Sequence, residues 1–189
     1  LASFAERINN SRKPALVLGP EVDRAGGWDS AVALAEKLRV AVYNPPLADR
    51  VSFPEDHPLF QGTLPMTIPG VSKRLEGHDL VVVIGAPVFR YYPFLPGQWL
   101  PDGTEVLHVT CDPDTAAYAA SGDSMLGDAK LAIDLLIDKV APAPAGRVAP
   151  TPLSWPRKLP ATPSAPLTPP EAYAALSDEV ITACFKPSN

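Results

Sequence analysis

Apolar residues follow two patterns in this chain: short unbroken runs, and longer segments in which they recur every three or four positions. The clearest short run is residues 80–84, where a leucine is followed by four β-branched residues. Such a run is typical of a strand buried on both faces, in the middle of a parallel sheet covered by helices. Comparable runs predict further strands at residues 15–18, 40–43, 105–110 and 124–126.

Segments with helical spacing alternate with these runs. They predict helices around Phe4, Ala5 and Ile8 and over residues 28–38, 68–75, 115–120 and 131–140. Ser3 is a candidate N-cap of the first helix, and Asp112 followed by Pro113 is a candidate start of the fourth. Gly127-Asp128-Ala129 is expected to open the last helix. In the last helix we expect the buried side to carry Leu131, Ile133, Leu135 and Ile137.

This alternation predicts an α/β fold: a Rossmann-like, doubly wound parallel sheet of six strands with helices on both faces. The expected strand order is 3-2-1-4-5-6, and the domain covers residues 1–140. Residues 47–67 are rich in Pro, Asp and His and are predicted to form a long loop.

Composition narrows the class of protein. The formal charge is −5 without a basic stripe, which argues against a nucleic-acid partner, and no apolar run is long enough to span a membrane. The first residues lack the basic-then-apolar order of a signal peptide. Cys111 and Cys184 form no metal-binding spacing, so reduced thiols and a cytoplasmic location are expected.

Proline marks a second boundary. Ten of the 24 prolines lie between Pro142 and Pro170, which predicts an extended Pro/Ala-rich linker over residues 141–167. Residues 168–189 then read as one helix and one strand, Val180 to Phe185, without a strand partner in this sequence. We therefore expect that residues 168–189 begin a further domain and that the chain is part of a longer protein.

Few residues carry recognisable chemistry. The glycines from Gly19 to Gly27 follow a strand but do not match G-x-G-x-x-G, so an ordinary βα turn is favoured over a dinucleotide site. Asp112 is placed either to accept a ribose hydroxyl or, as Pro113 favours, to cap a helix. The three histidines, His57, His78 and His108, form no metal set or triad and are interpreted as structural. No nucleophile motif is present, so a self-contained active site is not expected.

The segment after residue 84 changes character, because aromatic residues crowd between prolines. Gly85-Ala-Pro-Val-Phe-Arg-Tyr91 and Pro96-Gly-Gln98 resemble the corresponding stretch of benzoylformate decarboxylases. Further similar segments, in the same order along the chain, are Leu16–Pro20, Leu75–Asp79, Val109–Pro113 and Gly127–Lys130. The last of these, and the Asp-Pro turn, occur more widely among thiamine-diphosphate enzymes.

The resemblance implies the central domain of a thiamine-diphosphate enzyme that decarboxylates a 2-oxo acid. In the intact enzyme the cofactor would be held through Mg²⁺ and would carry the difficult chemistry. An N-terminal domain with the activating glutamate and a C-terminal diphosphate-binding domain would be its partners, in an enzyme expected to be a homo-oligomer. This chain alone is therefore expected to be inactive and to bind neither thiamine diphosphate nor Mg²⁺.

One departure from the family concerns a candidate catalytic residue. In benzoylformate decarboxylases a histidine just after Phe-Arg-Tyr acts in proton transfer, and the matching position here is Tyr92. A phenol of pKa ~10 moves protons poorly at neutral pH compared with imidazole, although it can donate a hydrogen bond. We therefore expect Tyr92 to shape the substrate pocket more than to relay protons.

Two alternatives remain open at the level of sequence. The first is the central domain of an acetolactate-synthase-like carboligase, which would hold FAD. The second is a regulatory module that binds an adenine nucleotide such as ADP. Both are less favoured than the decarboxylase, because the segment from Gly85 to Gln98 is specific to the benzoylformate decarboxylase group.

Overall fold

The computed structural model describes residues 1–153 and contains six strands and six helices in that range. The strands are β1 Pro14–Leu18, β2 Ala41–Asn44, β3 Phe60–Thr63, β4 Leu80–Ile84, β5 Glu105–Thr110 and β6 Asp123–Leu126. The helices are α1 Ala2–Asn10, α2 Pro20–Arg24, α3 Trp28–Leu38, α4 Ile68–Arg74, α5 Pro113–Ala117 and α6 Ala129–Lys139. None of these helices is long and apolar enough to cross a membrane.

All six strands form one parallel sheet in the order β3-β2-β1-β4-β5-β6, which confirms the predicted fold. Every residue of β1 and of β4 is buried, as expected for the two central strands. They pair in register, with Pro14 opposite Leu80 and Leu18 opposite Ile84. Two neighbouring strands thus begin and end together, and the chain leaves the sheet in different directions at their carboxyl ends.

The core lies in two layers, one on each face of the sheet, because side chains alternate along a strand. Leu16 and Val82 face the layer built with α1, α3 and α6. Val17 and Val83 face the other layer, which contains α4 and the start of the segment that follows β4. Helices therefore cover both faces, as predicted.

The sequence predicted six strands but located only five of them, and it also missed one short helix. Strand β3 lies inside residues 47–67, which were wrongly predicted to be loop throughout. It is an edge strand, and only its first residue, Phe60, is fully buried, so it has no apolar run to reveal it. Helix α2 occupies five residues of the expected βα turn after β1.

Two predictions about the helices are wrong and two are confirmed. Helix α1 begins after Leu1, so Ser3 lies inside it. In α6 the buried residues are Ala129, Ala132, Ile133 and Leu136, whereas Leu131 and Leu135 are exposed. Of the four predicted residues Ile133 is fully buried, and two alanines and Leu136 complete the buried side of α6, which packs against α3. The predicted start of α5 at Asp112 and the predicted opening of α6 at Gly127-Asp128-Ala129 are correct: side-chain oxygens of Asp112 and Asp128 accept hydrogen bonds from the first turns of these helices.

Residues 141–153, here called the strap, contain no helix or strand and lie along the domain surface. The Ala143 N–H donates to Lys37 O at 2.8 Å, and the Ala141 N–H donates to Asn9 Oδ1 at 2.8 Å. The rest of the predicted linker, and the helix and strand predicted within residues 168–189, lie outside the described residues.

Candidate functional site

The carboxyl ends of β1 and β4 approach each other so closely that only glycine fits. A Cβ atom on Gly19 would lie 2.3 Å from Ala86 Cβ and 2.5 Å from the carbonyl oxygen of Gly85. Gly85 itself has φ +73°, a left-handed conformation that glycine adopts without strain. The two strands diverge at this contact, with β1 entering α2 and β4 entering a long irregular segment.

That segment, residues 85–104, is here called the aromatic loop, and part of it packs onto the sheet. Phe89 is buried, and Tyr91 stacks edge-on against both Phe89 and Trp99, with ring centroids 6.5 Å and 5.0 Å apart. Burial raises the pKa of Tyr91 to about 12, so this phenol stays protonated at neutral pH. These rings hold the loop on the domain.

Three other large side chains of the aromatic loop, those of Tyr92, Phe94 and Leu95, are solvent-exposed. Tyr92, the predicted site residue, is 69% exposed and Phe94 is 70% exposed. The Tyr92 backbone is nevertheless fixed, because its N–H donates to Met66 O at 2.8 Å. The Tyr92 hydroxyl has no hydrogen-bond partner within residues 1–153. A large ring on a fixed backbone, exposed at the carboxyl edge of the sheet, is suited to contact something outside the described domain.

A buried histidine fixes the start of the aromatic loop. His108 Nε2 lies 2.8 Å from Ala86 O, and His108 Nδ1 lies 2.9 Å from Ser124 Oγ. Because a carbonyl can only accept, Nε2 carries the hydrogen and Nδ1 accepts from the serine hydroxyl. Burial lowers the pKa of His108 and favours its neutral form. His108 is thus structural, as predicted, but its link from β5 to the loop and to β6 was not visible in the sequence.

The carboxyl edge also contains a small crevice, of about 150 Å³, at the point where β1 and β4 diverge. Glu21, Asp49 and Asp112 line it together with Arg24 and Arg90. Both oxygens of Glu21 are occupied, by the Thr110 hydroxyl at 2.6 Å and the Cys111 N–H at 2.8 Å. Asp49 pairs with Arg24 at 2.8 Å, and Asp112 caps α5, the interpretation that Pro113 favoured.

A nucleotide does not fit this crevice as it stands. Ligand pockets usually enclose ~300–1,000 Å³, and the three carboxylates at the lining outnumber the two guanidinium groups of Arg24 and Arg90, which disfavours phosphate groups. Pro20 and Pro113 begin the two helices at this edge and lack the N–H groups that bind phosphate elsewhere. The FAD-holding carboligase and the adenine-nucleotide module therefore receive no support.

The described residues also offer no set of side chains for the metal ion that would hold thiamine diphosphate. No group of three or more His, Cys, Asp or Glu side chains within residues 1–153 could hold a metal ion. A Rossmann-like domain with exposed aromatic residues at its carboxyl edge, and with no metal-ligand group in the described part, is suited to be one part of a multidomain enzyme.

Comparison with known proteins identifies that class. The family model described as "Thiamine pyrophosphate enzyme, central domain" matches residues 1–136, and the chain belongs to this family. Benzoylformate decarboxylase from Pseudomonas aeruginosa is 50% identical over 143 residues, which are 76% of this chain.

Solved structures agree with this family. Benzoylformate decarboxylase from Polynucleobacter necessarius is 37% identical with a TM-score of 0.87, and covers 100% of this chain. The 4-hydroxybenzoylformate decarboxylase of Rhodococcus jostii RHA1 is 38% identical with a TM-score of 0.85, over 93% of this chain. The chain spans 27% of the Pseudomonas protein and about a third of each solved chain, 34% and 33%.

Proposed function

We propose that this chain is the central domain of a thiamine-diphosphate-dependent 2-oxo acid decarboxylase of the benzoylformate decarboxylase type. Half of the aligned residues are identical to the Pseudomonas enzyme, and two solved relatives are named as decarboxylases of aryl 2-oxo acids. Thiamine diphosphate would supply the electron sink for loss of CO₂. No metal-binding set lies within residues 1–153, and the proposal assigns thiamine diphosphate and Mg²⁺ to the other domains of the intact enzyme.

The role of this domain is to form one wall of the active site. The single observation that supports this role is the exposed Tyr92 ring on the aromatic loop, whose backbone and neighbouring rings are fixed. A fixed ring presents apolar surface to an aromatic substrate and excludes water from it. Its hydroxyl can donate a hydrogen bond to a substrate oxygen. Tyr92 occupies the position at which the resemblance places a histidine in benzoylformate decarboxylases.

The other parts of the proposal concern partners and location. N-terminal and C-terminal domains of the same enzyme would cover the carboxyl edge, and the intact enzyme would be a homo-oligomer. Exposed Phe94 and Leu95, beside Tyr92, supply apolar surface for such contacts. A cytoplasmic location remains a prediction that rests on the sequence.

A domain exchange tests the function. The matching stretch of the Pseudomonas benzoylformate decarboxylase is replaced by that of this chain, and decarboxylation of benzoylformate is measured with thiamine diphosphate and Mg²⁺. We expect turnover by the chimaera and none by the purified 189-residue chain. A matched chimaera with Tyr92→His restores the family's histidine and controls for the effect of the exchange itself. A chimaera that folds and binds the cofactor but decarboxylates no 2-oxo acid, with or without Tyr92→His, would contradict the proposal.

A further inference from the structure

A second cavity, here called the amino-end cavity, lies at the opposite edge of the sheet from the aromatic loop. It has a volume of about 300 Å³. Its walls are the starts of β1 and β2, the turn after α3, His78 and strap residues 147–151. The lining residues are Lys13, Pro14, Arg39, Val40, Ala41, His78, Arg147, Val148, Ala149, Pro150 and Thr151.

The lining is positively charged, although the chain as a whole carries −5. Lys13, Arg39 and Arg147 contribute three cations, and no Asp or Glu lines the cavity. The side chains of Lys13 and Arg39 make no hydrogen bond or ion pair within residues 1–153. The nearby carboxylate of Asp79 lines a different cavity. It accepts hydrogen bonds from the Ser11 hydroxyl and from the N–H groups of Arg12 and Lys13.

The positive charge of Lys13 affects the pKa of His78. Its Nδ1 donates to Lys13 O at 3.0 Å, and its Nε2 lies 3.3 Å from the Tyr43 hydroxyl. Burial is the main cause that lowers the pKa of His78, and the positive charge of Lys13 adds to it, whereas the hydrogen bond to Lys13 O and the charge of Asp79 act in the opposite direction. The imidazole is therefore favoured in its neutral form, and a negative charge in the cavity would act on it in the opposite direction from Lys13.

Arg147 fixes the strap to the domain, so the cavity beneath the strap is a defined part of the structure. Its guanidinium donates to Leu38 O at 3.0 Å and to Ser11 O at 2.7 Å, two carbonyls at the ends of α3 and α1. The strap is thereby fixed across the opening. Arg147 Nε is buried and has no acceptor within residues 1–153. The two carbonyls at helix C-termini and the nearby Asp79 carboxylate partly offset this charge, and the guanidinium keeps a net positive charge at the cavity wall.

We propose that the amino-end cavity binds a small dianion of the phosphate class, either inorganic phosphate or the phosphate group of a small metabolite. Three cations without a carboxylate match a ligand with close to two negative charges, as a phosphate group carries near pH 7. Lysine and arginine are the side chains that bind such groups, through charge-assisted hydrogen bonds. The volume is at the lower end of the range for ligand pockets, ~300–1,000 Å³, which suits a small molecule. Because strap and ligand share the cavity, binding would also hold the strap against the domain.

The test uses the full 189-residue chain and inorganic phosphate at constant ionic strength, with chloride as the replaced anion. Two signals are followed: the thermal unfolding midpoint, and the pKa of His78 from its imidazole proton resonances in NMR. We expect phosphate to raise both. In the double variant Lys13→Gln with Arg39→Asn, the dissociation constant should rise tenfold or more, since two charge-assisted hydrogen bonds are lost. Asparagine suits position 39 because Arg39 has φ 50°.

The control variant is Arg12→Gln, which removes one positive charge beside Lys13 at a side chain that does not line the cavity. It should respond to phosphate like the wild type. An equal response of the double variant would show a general salt effect and overturn the proposal, as would the absence of a response in the wild type. An equal response to acetate would overturn the phosphate class. A phosphorylated metabolite that binds more tightly than inorganic phosphate would identify the metabolite as the source.

Discussion

The two edges of the sheet differ in which of their side chains are paired and which are exposed. At the carboxyl edge, the carboxylates of Glu21, Asp49 and Asp112 are paired or used as a cap, and large aromatic rings such as Tyr92 and Phe94 are exposed. At the amino edge, the strap covers the sheet and the cations of Lys13 and Arg39 are left without partners in residues 1–153. The carboxyl edge is therefore suited to apolar contact with another domain, and the amino edge to a small anion. One α/β domain can thus keep two separate kinds of surface at the two ends of the same strands.

The largest loss of stability is expected when the close contact between β1 and β4 at the carboxyl edge is disturbed. Gly19→Ala places a methyl group 2.3 Å from Ala86 Cβ and 2.5 Å from a backbone oxygen, so β1 and β4 must separate. We expect the free energy of unfolding to fall by about 3 kcal/mol or more. Gly127→Ala is the matched control, because nothing lies within 4 Å of its added Cβ. Equal denaturation midpoints for the two variants would show that the contact is not tight.

A smaller loss of stability is expected when the strap is weakened at the amino edge. Arg147→Ala removes two hydrogen bonds to the carbonyls of Leu38 and Ser11 and is expected to cost roughly 1–2 kcal/mol. Proteolysis within residues 141–153 should become faster while the rest of the described domain stays resistant. Arg12→Ala, at a side chain that is 95% exposed, controls for the loss of charge. Unchanged cleavage of the strap in Arg147→Ala would mean that other contacts fix it.

The buried histidines predict how stability depends on pH. The pKa values of His78 and His108 are lowered in the folded state, chiefly by burial, so the unfolded state binds protons first as the pH falls. The free energy of unfolding should therefore decrease as the pH drops below the unfolded value of ~6.5. His108→Gln should flatten this dependence, since the amide can still donate to Ala86 O but does not titrate. The same slope in variant and wild type would exclude His108 as a contributor.

Much of the sheet could be predicted from sequence because buried central strands require apolar runs. β1 and β4 show such runs, whereas Phe60–Thr63 of β3 is an edge strand that needs few apolar residues. The buried side of α6 was misjudged, because hydrophobicity favours Leu131 while close packing favours Ala132. The Tyr92 position came from resemblance, and its exposure required the structure. The contacts of His108 and the cations of the amino-end cavity join distant parts of the chain, and no local pattern marks them.

The role of Tyr92 can be tested in the active chimaera by changing the ring and its hydroxyl separately. Tyr92→Ala removes the wall and should raise KM for benzoylformate by about tenfold, with a smaller change in kcat.

Tyr92→Phe removes only the hydroxyl, and its kcat is the most direct measurement of whether this domain supplies a wall or a proton-transfer group. We expect kcat and KM to stay within about twofold of the parent chimaera, since a wall needs the ring alone. A general acid or base typically contributes ~10²–10⁴-fold. A hundredfold loss of kcat in Tyr92→Phe with unchanged KM would therefore contradict the wall and assign proton transfer to the hydroxyl.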